Sequence, residues 1–126
     1  MNANNLCAIL RHTGGFTIHT VYGDSPQAGD KKYAVAFSKS TERTYPLDTF
    51  SPSDLVAYIT DNAVALGHPW IYLGAWVDCD TVYLDCSKII TDRADAFEMA
   101  RENDQLAIFS FETMESLATP DFAIAA

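Results

Sequence analysis

Asp92, Asp95, Glu98 and Glu102 follow one another at steps of three, three and four residues. On a helix this spacing gathers the four carboxylates into a stripe about 120° wide. Like charges at such distances repel and weaken the helix that carries them. The stripe therefore reads in one of two ways. It is a solvated face, with Asp92 and Asp95 complementing the helix dipole, or it is a surface that imitates a row of phosphates. Asp104, Glu112, Glu115 and Asp121 extend the acidic run.

A second group of reactive types surrounds Asp78-Cys79-Asp80. Cys79 and His68 could act as nucleophile and base if they met in space. Flanking carboxylates oppose this, because they raise a thiol pKa and suppress the thiolate. Cys79 and Cys86 are seven residues apart, wider than a zinc knuckle, and His12, His19 and His68 show no ligand spacing. Cys86 reads as a core thiol. Asp78, Asp80 and Asp85 lack the closing Glu of a calcium loop, and Gly14-Gly15 lacks the Lys-Ser/Thr of a phosphate loop. No nucleophile elbow is present. The expectation is no catalytic residue, no metal and no cofactor. The rival reading is a small hydrolase or metal-binding protein using His68, Cys79 and the nearby aspartates.

The elements that must position these residues follow from periodicity. Phe16–Tyr22 alternates and reads as a strand, and Tyr33–Phe37 as its hairpin partner across a Gly/Pro/Asp loop. Thr41–Leu47 is a possible further strand limited by Pro46. Ser51-Pro52-Ser53-Asp54 is a helix start, with Ser51 as cap and Pro52 at the first position. Leu55, Val56, Ile59, Ala63 and Leu66 continue at helical spacing to a stop at Gly67 and Pro69. Trp70–Val77 and Thr81–Cys86 read as a hairpin about Asp78-Cys79-Asp80. In that hairpin Val77, Ala75 and Leu73 face Val82, Leu84 and Cys86 on a core side. Trp76 faces Tyr83 and Gly74 faces Asp85 on the other. Tyr72, Trp76 and Tyr83 then share one side, as core if a helix covers them and as a binding patch if none does. A second helix starts at Asp92 and runs to about Asn103, and Leu106–Phe111 is a last strand. The expected fold is α+β, an antiparallel or mixed sheet of about five strands with two helices in the order β-β-(β)-α-β-β-α-β. Residues 1–114 form one domain, and 115–126 a loosely held tail.

The chain has 126 residues, 48% apolar and 20% charged, which suits one globular core. No apolar run reaches the length of a membrane span. The N-terminal stretch does not resemble a secretory or lipoprotein signal, and three cysteines make no secreted disulfide framework. Both predict a cytoplasmic protein. The net charge of −9 is unevenly spread: residues 1–77 hold six acids and five bases, residues 78–126 eleven acids and three bases. Such a field repels nucleic acid and membrane phosphate and favours a basic protein surface.

Within residues 70–111, Gly74-Ala75-Trp76, Val82-Tyr83-Leu84-Asp85, the Asp92 helix and Gln105-Leu106-Ala107-Ile108-Phe109 follow in order. This segment resembles one in small acidic proteins of actinobacteria and their phages. It is also distantly similar in order to antirestriction DNA-mimic proteins, which place a Trp-containing hairpin before an acidic helix. The resemblance implies a phage or mobile-element setting. The expectation is a non-enzymatic accessory protein that binds, in its most specific form an acidic nucleic-acid mimic inhibiting host DNA-directed defence, of anti-restriction or anti-CRISPR type. Its contact residues would be Asp92, Asp95, Glu98 and Glu102, supported by Asp78, Asp80 and Asp104, against a basic nucleic-acid-binding cleft. A further alternative is a homodimerising structural domain.

Overall fold

The computed structural model describes residues 2–37 and 39–119. Seven strands and four α-helices lie among them, and the chain divides into two compact units. The first comprises Met1–Ser25 and Thr41–Cys86, the second Pro26–Ser40 and Ser87–Ala126.

The first unit opens with α1 (Ala3–Thr13), an element not expected from the sequence. Asn2 caps it by accepting from the Asn5 N–H, and Gly14 ends it at φ +87°, a left-handed conformation that suits glycine. Leu6, Cys7 and Leu10 turn inward. β1 (Gly15–Ile18) follows and pairs antiparallel with β4 (Ile71–Asp78), Gly15 opposite Trp76 and Ile18 opposite Leu73. β5 (Thr81–Ile90) neighbours β4, and β3 (Arg43–Pro46) pairs antiparallel with its first half.

α2 (Pro52–Asp61) starts as expected. Ser51 and Asp54 form a reciprocal capping box, and Pro52 occupies the first turn. The single helix expected to run on to Leu66 is instead broken at Asn62, after which α3 spans Ala63–Leu66. Asn62 has left helical geometry at φ −111°, and its side-chain amide donates to the Tyr58 carbonyl at 2.9 Å. Asparagine competes for backbone partners in this way.

Leu73, Ala75, Val82, Leu84 and Cys86 are buried on one face of β4 and β5, with Leu6, Leu10, Leu55, Tyr58 and Leu66 completing the core. The other face carries Gly74 and Asp85, then Trp76 and Tyr83. A side chain at Gly74 would collide with the Asp85 carboxylate, so β4 has a glycine where β5 turns an acid inward. Both facing pairs match the expected register. The turn between them is tight: Cys79 and Asp80 both have positive φ, 50° and 61°, as a two-residue type I′ hairpin requires.

In the second unit β2 (Tyr33–Ala36) pairs antiparallel with both Ser87–Ile90 of β5 and β6 (Ala107–Ser110). The expected hairpin of β1 with β2 does not form. Alternation identifies a strand but not its partner: β1 pairs with β4 in the first unit, and β2 with β5 and β6 in the second. β7 (Glu115–Ala118) pairs with β6. These residues were expected in the loose tail, of which 120–126 lie outside the described residues. α4 (Arg93–Glu102) packs on β2 and β6. Ala96, Phe97 and Ala100 meet Tyr33, Val35 and Ile108 in a second core.

An L-residue in left-handed geometry costs about 1–2 kcal/mol, which glycine avoids. Asp80→Gly should therefore raise the thermal midpoint, with a gain of up to ~1 kcal/mol. A thermal melt against the unchanged protein checks the sign.

Candidate functional site

α4 carries the acidic stripe. Asp92 is its N-cap, its carboxylate accepting from the Asp95 N–H at 2.9 Å. Asp95, Glu98 and Glu102 are exposed. At about 100° per residue, the buried Ala96, Phe97 and Ala100 centre on one side of the helix and these three acids on the opposite side. They rise along the axis by about 4.5 and then 6 Å, at 1.5 Å per residue. The Arg93 guanidinium stands 5.5 Å over the Phe97 ring. In the first unit Arg43 and Asp61 form an ion pair at 2.9 Å. Asp104 follows α4 at φ +55° and is exposed. Asp78 and Asp80 are exposed at the β4–β5 turn of the first unit. The stripe and the turn thus belong to different units.

The aromatic set divides along β4. Trp76 stacks on Tyr83 with ring centroids 4.1 Å apart and planes 10° from parallel, and Trp76 is 42% exposed. Tyr72 lies four residues away, about 13 Å along the strand. Its hydroxyl donates to Asp24 at 2.6 Å and its ring meets His19 edge-on. Burial first, and then the Asp24 carboxylate, pushes the Tyr72 pKa up to about 12.

His19 was not singled out by its spacing, yet it is fully buried and organises this end of the sheet. Its Nε2–H donates to the His68 carbonyl at 2.9 Å. Its Nδ1 accepts from the Val21 and Tyr22 N–H groups at 3.2 and 3.1 Å. Tyr22 stacks on the ring. The signal that could have found it is Gly23, at φ +78°, which closes the turn from His19 by donating its N–H to the His19 carbonyl. This turn ends β1 at Ile18, four residues before the expected Tyr22.

The reactive pair does not assemble. His68 precedes β4 and stacks on Trp70, 5.1 Å between centroids, while Cys79 follows the far end of β4. Eight strand residues place them on the order of 20 Å apart. Cys79 is exposed, and the Asp78 carboxylate raises its thiol pKa, first through charge and then through a hydrogen bond. Burial raises Cys7 and Cys86. Burial also raises the Tyr58 phenol, which donates to the Thr41 carbonyl and lies 3.5 Å from Cys86 Sγ. Among the described residues no three His, Cys, Asp or Glu side chains gather as metal ligands. An open depression of about 590 Å³ at the starts of α1 and α2 is lined by Asn2, Asn4, Ser53 and Val56 and presents no acid, base or thiol.

No helix among the described residues is long and apolar enough to cross a membrane. In comparisons with known proteins, no family model, no curated protein and no solved structure matches the chain.

The cysteines give a direct check of the local field. Timed alkylation of the native protein at mildly alkaline pH should label Cys79 alone. A raised pKa leaves less thiolate, so Asp78→Asn should speed that labelling several-fold, read by mass spectrometry. An unchanged rate would show that Asp78 does not govern the thiol.

Proposed function

We propose that the protein acts by binding a basic partner surface rather than by catalysis. The observation that carries this reading is the outward face of α4, where Asp95, Glu98 and Glu102 stand exposed beside the Asp92 cap. A charge row held on a rigid helix complements a cleft built for a phosphate backbone. In its most specific form the protein is a phage or mobile-element inhibitor of host DNA-directed defence, occupying the nucleic-acid cleft of a defence complex. The resemblance of residues 70–111 to small acidic phage proteins supports that setting, and Asp78, Asp80 and Asp104 add charge. The hydrolase alternative is disfavoured by the separation of His68 from Cys79 along β4.

Partner capture from host lysate should weaken steeply between low and moderate salt, since the screening length is about 10 Å at 0.1 M. Duplex DNA should displace the captured partner. Reversing Asp92, Asp95, Glu98 and Glu102 to Lys adds two charges per position and takes the net charge from −9 to −1. That variant should lose the partner. Reversing the exposed Glu42, Asp48, Glu112 and Glu115 instead gives the same net charge and should retain it. Equal behaviour of the two variants would reduce the acidic stripe to bulk charge.

A further inference from the structure

The Trp76–Tyr83 stack belongs to the first unit and does not involve α4. Large aromatic rings are usually covered, yet Trp76 is 42% exposed on a sheet face. Its partner across the β1–β4 pairing is Gly15, which puts no side chain beside the indole. Asp78 is two residues along β4, so alternation sets it on the same face, and its carboxylate is exposed. The face therefore joins a π surface to a negative charge. Anionic ligands are disfavoured by the net charge of −9, and a cation is attracted by both components.

The same chain shows how its aromatics take cations. Arg43 stands 5.3 Å over Tyr58 and Arg93 5.5 Å over Phe97. Neither of these arginines stands over Trp76 or Tyr83. A guanidinium is planar and weakly hydrated, so it stacks on indole while its N–H groups reach a carboxylate; an ammonium does the first less well.

We propose that Trp76 and Tyr83, with the Asp78 carboxylate, receive an arginine side chain of a partner protein. This goes beyond the α4 reading and stands without it, because it rests on residues of the first unit and shares with that reading only the Asp78 carboxylate.

The test follows the Trp76 indole N–H by NMR in Trp70→Phe protein, where it is the remaining tryptophan signal. The probes are short capped Gly/Ser peptides bearing one arginine, one lysine or one citrulline. The expected result is a saturable shift with the arginine peptide, a weaker response to lysine and none to citrulline. Asp78→Asn should weaken the arginine response by about 2- to 5-fold, the range of an exposed cation–π or ion-pair contact. No shift, an equal response to citrulline, or indifference to Asp78→Asn would overturn the proposal. So would a Trp76 signal that moves with protein concentration alone, which would assign this face to a second copy of the chain. Repeating the titration on the α4 charge-reversal variant separates the two readings. A retained Trp76 response supports the arginine site whatever becomes of the stripe, and a lost response overturns it as a local site.

Discussion

Successive side chains on a strand point to opposite faces, and the first unit depends on how β4 and the first half of β5 use that rule. Leu73 and Ala75, with Val82, Leu84 and Cys86, make one face apolar, and α1, α2 and α3 supply the residues that complete this core. The same alternation forces Gly74, Trp76, Tyr83 and Asp85 to the other face. A slip of one residue would carry a carboxylate and an indole into the core, so burial specifies the register strongly. The turn agrees with it. Cys79 and Asp80 hold left-handed geometry that neither residue favours, and packing on both flanking strands over-determines that conformation.

α4 in the second unit is under the opposite tension. Its inner side is narrow, with two alanines and Phe97 buried, while its outer side collects acids that repel one another. Asp92 as cap and Asp95 in the first turn interact favourably with the dipole, and Arg101 does so in the last turn. Short helices are marginal alone, so the contacts of Ala96, Phe97 and Ala100 with Tyr33, Val35 and Ile108 hold this one in place. The acidic face is thus a surface maintained by packing beneath it.

The buried polar groups serve structure. His19 gives every ring nitrogen a backbone partner and closes the turn after β1. The Tyr58 phenol donates to the Thr41 carbonyl. Cys7 and Cys86 are held as thiols by burial, and Cys79 is held so by its neighbouring carboxylate. The buried imidazole and phenol are therefore hydrogen-bonded, and the three thiols are held in their neutral form.

Local rules carried much of the reading. The α2 cap, the β4–β5 hairpin with its facing pairs, and α4 with its acids were legible because capping, period-two alternation and the 3.6-residue repeat act over a few neighbours. α1 was missed because its apolar stripe spans barely two turns, and Asn2 and Gly14 signal its ends only once the stripe is recognised. The break at Asn62 was hidden in an apolar pattern that continues across it. The partners of β1 and β2 were beyond reach, since β1 chose β4 and β2 chose β5 and β6 through long-range packing. The sequence by itself determined that the protein is acidic and α+β and that four carboxylates would share one helix side. Only the tertiary structure decided that this side faces away from the core, that His68 and Cys79 are held apart by the length of β4, and that Trp76 stays uncovered. Each of those depends on what lies against an element, and no local pattern encodes it.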